Sequence, residues 1–272
     1  FIKVAYQFLG YLKVVKNSSE HTVRNYAIDL NGLKNYLEEE VLCCDEDSRP
    51  QKVQYNEPYE CRSREYDDII DLHSITKETI RDFLAYNHAL GVSKRTIVRR
   101  LSSFRTFFKF AMHKSFVMVN PTEDIERPKI EKKIPLSLSY EQVQRLFDQP
   151  DNETYLGFRD RCTMELFYSS GLRVSELVSL DREDFDPVNL LIRLHGKGRK
   201  ERVVPITKNA SEWITAYLEH PERHRDMEGH NAELDKSAVF LNRLGTRITT
   251  RSVDRKFDKY LTQSGLASKV TP

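Results

Sequence analysis

Ser169-Ser170-Gly171-Leu172-Arg173-Val174-Ser175-Glu176-Leu177 contains the end of one helix, a glycine break and the start of another. The helical period of roughly Tyr155–Ser169 stops at Gly171, the residue type that most readily ends a helix. Arg173 then stands at a helix start. Glu176, three residues on, shares its face. Read alone, this is an ordinary surface Arg–Glu pair.

Downstream the period changes. Leu190, Leu191, Ile192 and Leu194 form an apolar strand, and Arg202, Val203, Val204 and Ile206 form a returning one. Between them, Gly196-Lys197-Gly198-Arg199-Lys200 is a basic, glycine-rich turn, so the segment reads as a β-hairpin. The turn lacks the spacing and the following helix of a phosphate-binding P-loop. Its lysine is nevertheless placed to reach a phosphate or a leaving oxygen. Helix returns at Glu212–Leu218 and Ser252–Leu261. Upstream, Ser139 reads as the cap of a helix containing Val143, Leu146 and Phe147.

The N-terminal half is helical throughout. Val4, Phe8, Leu12 and Val15 keep helical spacing, and Ser18 or Ser19 caps a second helix carrying Val23, Tyr26, Ala27, Leu30, Leu33 and Leu37. Thr76 caps a third, with Ile80, Phe83, Leu84 and Leu90. In the fourth, Ile97, Leu101, Phe104, Phe108 and Ala111 make one stripe. Arg95, Arg99, Ser102, Thr106 and Lys109 make another, about 200° away. One face is core; the other is basic and hydrogen-bonding. Residues 41–72 break the pattern, being polar, acidic and rich in tyrosine, and are expected to form a long mobile surface insertion. The division is residues 1–119 as a helical bundle, 120–138 as a basic, proline-marked linker (Asn120-Pro121, Arg127-Pro128-Lys129) and 139–272 as a second domain. The fold class is mainly α with a small β-sheet (α+β).

Of the 272 residues, 39% are hydrophobic and 31% charged, a globular composition with core enough for two domains. Net charge is only +2, but its distribution is uneven. Residues 38–47 carry six acids and no base; residues 94–114 carry seven bases and no acid. That asymmetry points to a polyanion-binding face rather than a merely solvated helix surface. No apolar run approaches a membrane span and the residues from Phe1 lack the regions of a signal peptide, so the expected location is cytoplasmic. Phe1 is not an initiator methionine, and the chain is expected to start inside a longer product. Cys43, Cys44, Cys61 and Cys162 fit no zinc or disulfide spacing, and the histidines form no metal motif. No metal site is expected.

Taken together, the motifs resemble those of the tyrosine site-specific recombinases, the phage integrase family. Gly171–Leu177 is similar to that family's first arginine motif. Asp181–Phe185, Gly196-Lys197-Gly198, Lys200-Glu201-Arg202 and Pro205 are similar to its catalytic hairpin. Lys94–Phe110, Asn120-Pro121 and Pro128-Lys129 resemble the end of its core-binding domain, and Phe240-Leu241-Asn242-Arg243 with Gly245, Arg247 and Thr249 continues the pattern. The narrower likeness is to the Xer branch, which resolves chromosome dimers at cell division. The resemblance implies a SAM-like helical bundle and a catalytic domain closing as a C-shaped clamp on double-stranded DNA. It also implies a second recombinase subunit as partner, no membrane and no small-molecule substrate. Chemistry would run through a 3′-phosphotyrosyl intermediate that conserves bond energy and needs no cofactor.

In that mechanism Arg173 would hold the phosphate oxygens, Lys197 would protonate the leaving oxygen and Glu176 would support Arg173. DNA contacts would come from Thr22, Arg24, Arg95, Arg99, Arg100, Lys200, Arg202, Arg247, Thr250 and Arg251. The family's Thr-Pro-His-x-Leu-Arg-His motif is met here only as far as Val270-Thr271-Pro272. The remaining histidines, second arginine and nucleophilic tyrosine are expected beyond Pro272, leaving this fragment alone inactive. Two other classes compete: a DNA-binding module without catalysis, and a type IB topoisomerase-like enzyme. A phage or transposon integrase is the alternative within the family.

Overall fold

The computed structural model describes residues 1–130, 137–196, 201–224 and 235–266. The chain forms two compact units, Phe1–Lys132 and Lys133–Pro272. In the first there are four helices, two of which start at the predicted caps Ser19 and Thr76. These are α1 (Ile2–Val14), α2 (Glu20–Tyr36), α3 (Lys77–Ala89) and α4 (Lys94–His113). The Ser19, Thr76 and Ser93 hydroxyls accept from the backbone N–H groups of Thr22, Thr79 and Thr96, which would otherwise lack partners.

The predicted apolar stripe of α4 is buried in full, and Phe107 joins it. Phe8 from α1 and Phe83 from α3 meet this stripe edge-on, at 5.5 Å to Phe107 and 5.5 Å to Phe104 respectively. Aromatic edges thus join α1 and α3 to α4, a geometry favoured by the ring quadrupole.

Residues 41–72, expected as a mobile surface insertion, are packed in part against the bundle. Past α2 the chain leaves through a wider turn, in which the Leu42 N–H reaches the Leu37 carbonyl. Val53, Ile70 and Leu72 then return to the bundle core. The Asn31 amide bonds both the N–H and the carbonyl of Val53, at 2.8 Å each. Arg62 and Asp67 form a buried ion pair, and the Arg62 guanidinium lies 5.5 Å over the Tyr6 ring. Polarity that reads as solvated in one dimension is here paired internally. Truncating Ile70, buried to 2% exposure, is therefore expected to destabilise the protein by about 3 kcal/mol, measured by urea unfolding of Ile70→Ala. A mobile segment would show no loss.

The second unit packs α5 (Tyr140–Phe147), α6 (Tyr155–Ser170), α7 (Val174–Ser179), α8 (Lys208–Leu218) and α9 (Thr250–Gln263) with a three-stranded antiparallel sheet. Its strands β1 (Phe185–Asp186), β2 (Leu191–His195) and β3 (Glu201–Pro205) pair in the order β1-β2-β3, with Ile192 opposite Val204 and His195 opposite Glu201. Sequence periodicity misses β1, because two residues carry no alternation. α6 is buried on several sides, Cys162 and Leu166 fully so. Among the described residues, no helix is long and apolar enough to cross a membrane, and no cluster of side chains is arranged to hold a metal.

Candidate active site and DNA interfaces

Gly171 ends α6 in the left-handed conformation (φ 60°), which a side chain would disfavour, and reverses the chain. Leu172 and Leu177, both buried, pin the segment to the core on either side of Arg173. Arg173 caps α7 in an extended conformation. Its backbone N–H donates to Glu176 Oε2 at 2.9 Å, and its Nη1 donates to Oε1 at 2.9 Å. The spacing predicted this pair but not its other half. Arg202, on β3, grips the same carboxylate with both arms, at 2.6 and 2.9 Å. Glu176 is thus buried between two guanidiniums and ties the start of α7 to the returning hairpin strand.

The forked bond from Arg202 is the main reason the Glu176 carboxyl lies far below its ordinary value of 4.5, at about 2. Glu176 stays ionised and cannot take a proton from either arginine. The Arg173 side chain is 73% exposed, and its Nε and Nη2 make no hydrogen bond among the described residues. The arrangement is an oriented cationic fork on a rigid base, suited to a tetrahedral oxyanion.

A carboxyl with a depressed folded pKa stabilises the fold above its unfolded value and loses that contribution as pH falls toward the folded value. The stability gap between the wild type and Glu176→Gln is therefore expected to be full at neutral pH and to close from about pH 4.5 down to about 2, followed by acid titration of unfolding. A gap independent of pH would remove the two-arginine clamp.

At the hairpin base, His195 Nε2 lies 2.9 Å from Asp184 Oδ1, and this bond raises its pKa. Lys197 and Lys200, predicted as general acid and DNA contact, lie outside the described residues.

The remaining predicted DNA contacts divide. Thr250 and Arg251 are exposed on the first turn of α9, where the helix dipole favours an anion. Arg247, beside them in sequence, is turned inward. Its Nη1 reaches the Val178 and Leu180 carbonyls at 3.2 Å each, its Nη2 bonds the Asp181 carboxylate, and its Nε lies 3.3 Å from Asp235. It braces the end of α7 in this structure.

In the first unit, Arg24 and Arg95 are exposed, and Thr22 sits half-buried in the first turn of α2. Arg99 is 43% exposed and paired with Asp29. Arg100, expected as a DNA contact, makes its contacts within the bundle. It lies half-buried against the Phe83 ring, 5.9 Å away, and donates to the Asn87 side chain. Sequence reasoning missed Asp29. The only trace of it was an acid beside an apolar stripe, with no sign of what faced it.

Residues 137–272 match the phage integrase family model, and residues 5–63 and 61–115 match the phage integrase N-terminal SAM-like domain. Tyrosine recombinase XerC of Chlamydia pneumoniae is 44% identical over 267 residues, covering 98% of this chain and 81% of that protein.

The chain belongs to the phage integrase family.

Tyrosine recombinase XerC of Syntrophus aciditrophicus is 36% identical, covering 98% of this chain and 79% of its own length. Among solved folds, the Tn1549 transposon integrase in complex with transposon right end DNA superposes with a TM-score of 0.64 at 17% identity, covering 99% and 82% of the two chains. A lambda integrase dimer bound to a COC′ core site gives 0.63 at 15% identity, covering 98% and 83%. At these identities the likeness is one of fold: a mainly helical integrase chain with a small antiparallel sheet. The Arg173–Glu176 pair lies within the residues matched by the phage integrase model.

Proposed function

We propose that this protein is a site-specific recombinase that cuts and rejoins DNA strands through a 3′-phosphotyrosyl intermediate, and that it resolves chromosome dimers for segregation at cell division. The observation that carries the reading is the Glu176 clamp. Two guanidiniums are held by one buried carboxylate, and one of them opens to solvent. Names of relatives at 36–44% identity support the narrower assignment.

Arg173 donates two hydrogen bonds to the non-bridging oxygens of the scissile phosphate, where negative charge grows as a tyrosine oxygen attacks. Glu176 fixes the plane of that fork, and Arg202 holds the hairpin against it. Lys197 protonates the 5′ oxygen as it leaves. The phosphotyrosyl bond conserves the energy of the broken phosphodiester, and the 5′ hydroxyl of a partner strand reverses the step. The partners are double-stranded DNA and further recombinase subunits assembled on two sites, and the compartment is the cytoplasm, where chromosomal DNA lies.

The test uses the full-length protein and a nicked suicide duplex carrying candidate chromosome-dimer sites, run on a denaturing gel. A covalent protein–DNA band is expected. A native-gel shift without any covalent band would leave a binding module and overturn the recombinase reading. Relaxation of one plasmid without exchange between two labelled sites would favour a topoisomerase.

A further inference from the structure

We propose that Asp29 is a positioning residue for site recognition, and that it holds Arg99 ready to read a guanine edge in the DNA major groove. The inference rests on the recombinase reading above. Asp29 lies on α2 with its side chain fully buried, opposite the basic face of α4. Its Oδ2 accepts from Arg99 Nη1 at 2.5 Å and from Ser103 Oγ at 2.6 Å. Its Oδ1 has no hydrogen-bond partner among the described residues, and Arg100 Nε, 3.9 Å away, has none among them either.

A buried carboxylate so incompletely paired costs stability. Its single surface-directed bond goes to Arg99, whose Nε and Nη2 make no hydrogen bond among the described residues. The other cations of that face, Arg95 and Lys109, have no side-chain partner among the described residues and are exposed. They suit phosphates, which tolerate a mobile charge. Arg99 differs, because its guanidinium is tethered through Nη1 to a buried carboxylate, which leaves Nε and Nη2 as the outward fork. A fork fixed in advance loses little freedom on binding, and its geometry matches the paired O6 and N7 acceptors of guanine. Tyr26 and Thr106, 3.5 Å apart between hydroxyls, continue the same polar seam of α2 and α4.

Charge alone predicts the opposite result for a variant. Removing a carboxylate near DNA strengthens binding by lowering repulsion. Positioning predicts weakening confined to the specific site. The experiment selects a preferred duplex for the full-length wild type from a random pool. Affinities are then measured for that duplex, its single base-pair substitutions and a scrambled duplex.

Asp29→Asn is expected to bind the selected duplex roughly tenfold more weakly and the scrambled one unchanged, and to become indifferent at one G·C pair. Arg99→Ala is expected to become indifferent at the same pair. Arg99→Lys keeps the charge but not the fork; it is expected to lose the same discrimination and carries the test should Asp29→Asn not fold. Selected-site binding by Asp29→Asn as tight as wild type, or tighter, would overturn the proposal. So would an equal loss on both duplexes, which marks a role in folding alone. A wild type that selects no preferred duplex would overturn the recombinase reading itself, and this inference with it.

Discussion

Arg173→Ala in the full-length protein is expected to slow strand cleavage by about 10²- to 10³-fold, the usual loss when one donor to a developing oxyanion is removed, while DNA binding stays near wild type. The side chain is 73% exposed, so its removal opens no cavity. Glu176 keeps the bidentate grip of Arg202, so the helix start and hairpin stay joined. The loss therefore falls on the transition state and not on the fold. Single-turnover cleavage of the suicide duplex measures it, beside a native-gel titration of the same variant. Arg173→Lys restores charge without the two-armed geometry and is expected to recover only part of the rate. Cleavage by Arg173→Ala at the wild-type rate would remove Arg173 from the site.

Lys197→Ala is expected to lose cleavage by about 10²- to 10⁴-fold on an ordinary phosphodiester, the range for a missing general acid. Replacing the bridging 5′ oxygen with sulfur removes the demand for a proton, because a thiolate leaves readily unaided. The variant is therefore expected to cut a 5′-phosphorothiolate duplex nearly as fast as wild type does. The same substrate is not expected to rescue Arg173→Ala, whose defect is charge stabilisation on the other oxygens. Absence of rescue for Lys197→Ala would assign the proton to another group. The pair of substrates thus separates the two roles within one assay.

Local rules made much of the architecture legible. Ser19, Thr76, Ser93 and Ser139 cap helices where a hydroxyl precedes an apolar period, because a cap bonds its own first turn and needs nothing distant. The α4 stripe, the Gly171 stop and the β2–β3 hairpin were readable for the same reason. The Arg173–Glu176 pair spans one helical turn, so spacing alone placed both groups on one face.

What a polar side chain faces across the core is a different kind of fact. Arg99, Arg100 and Arg247 read alike as basic residues near helix starts. One meets Asp29, one is turned against Phe83 and Asn87, and one braces the end of α7. Residues 41–72 read as solvated until Asn31, Tyr6 and the bundle core supplied their partners. From its amino-acid sequence alone, this protein's family, helical order, basic α4 face and Arg173–Glu176 pair could be determined, since each rests on neighbours within a turn or a strand. Only tertiary structure decided which cations stay exposed and which are engaged in ion pairs. A charge's role depends on the group brought against it by folding, and no period along the chain records that partner.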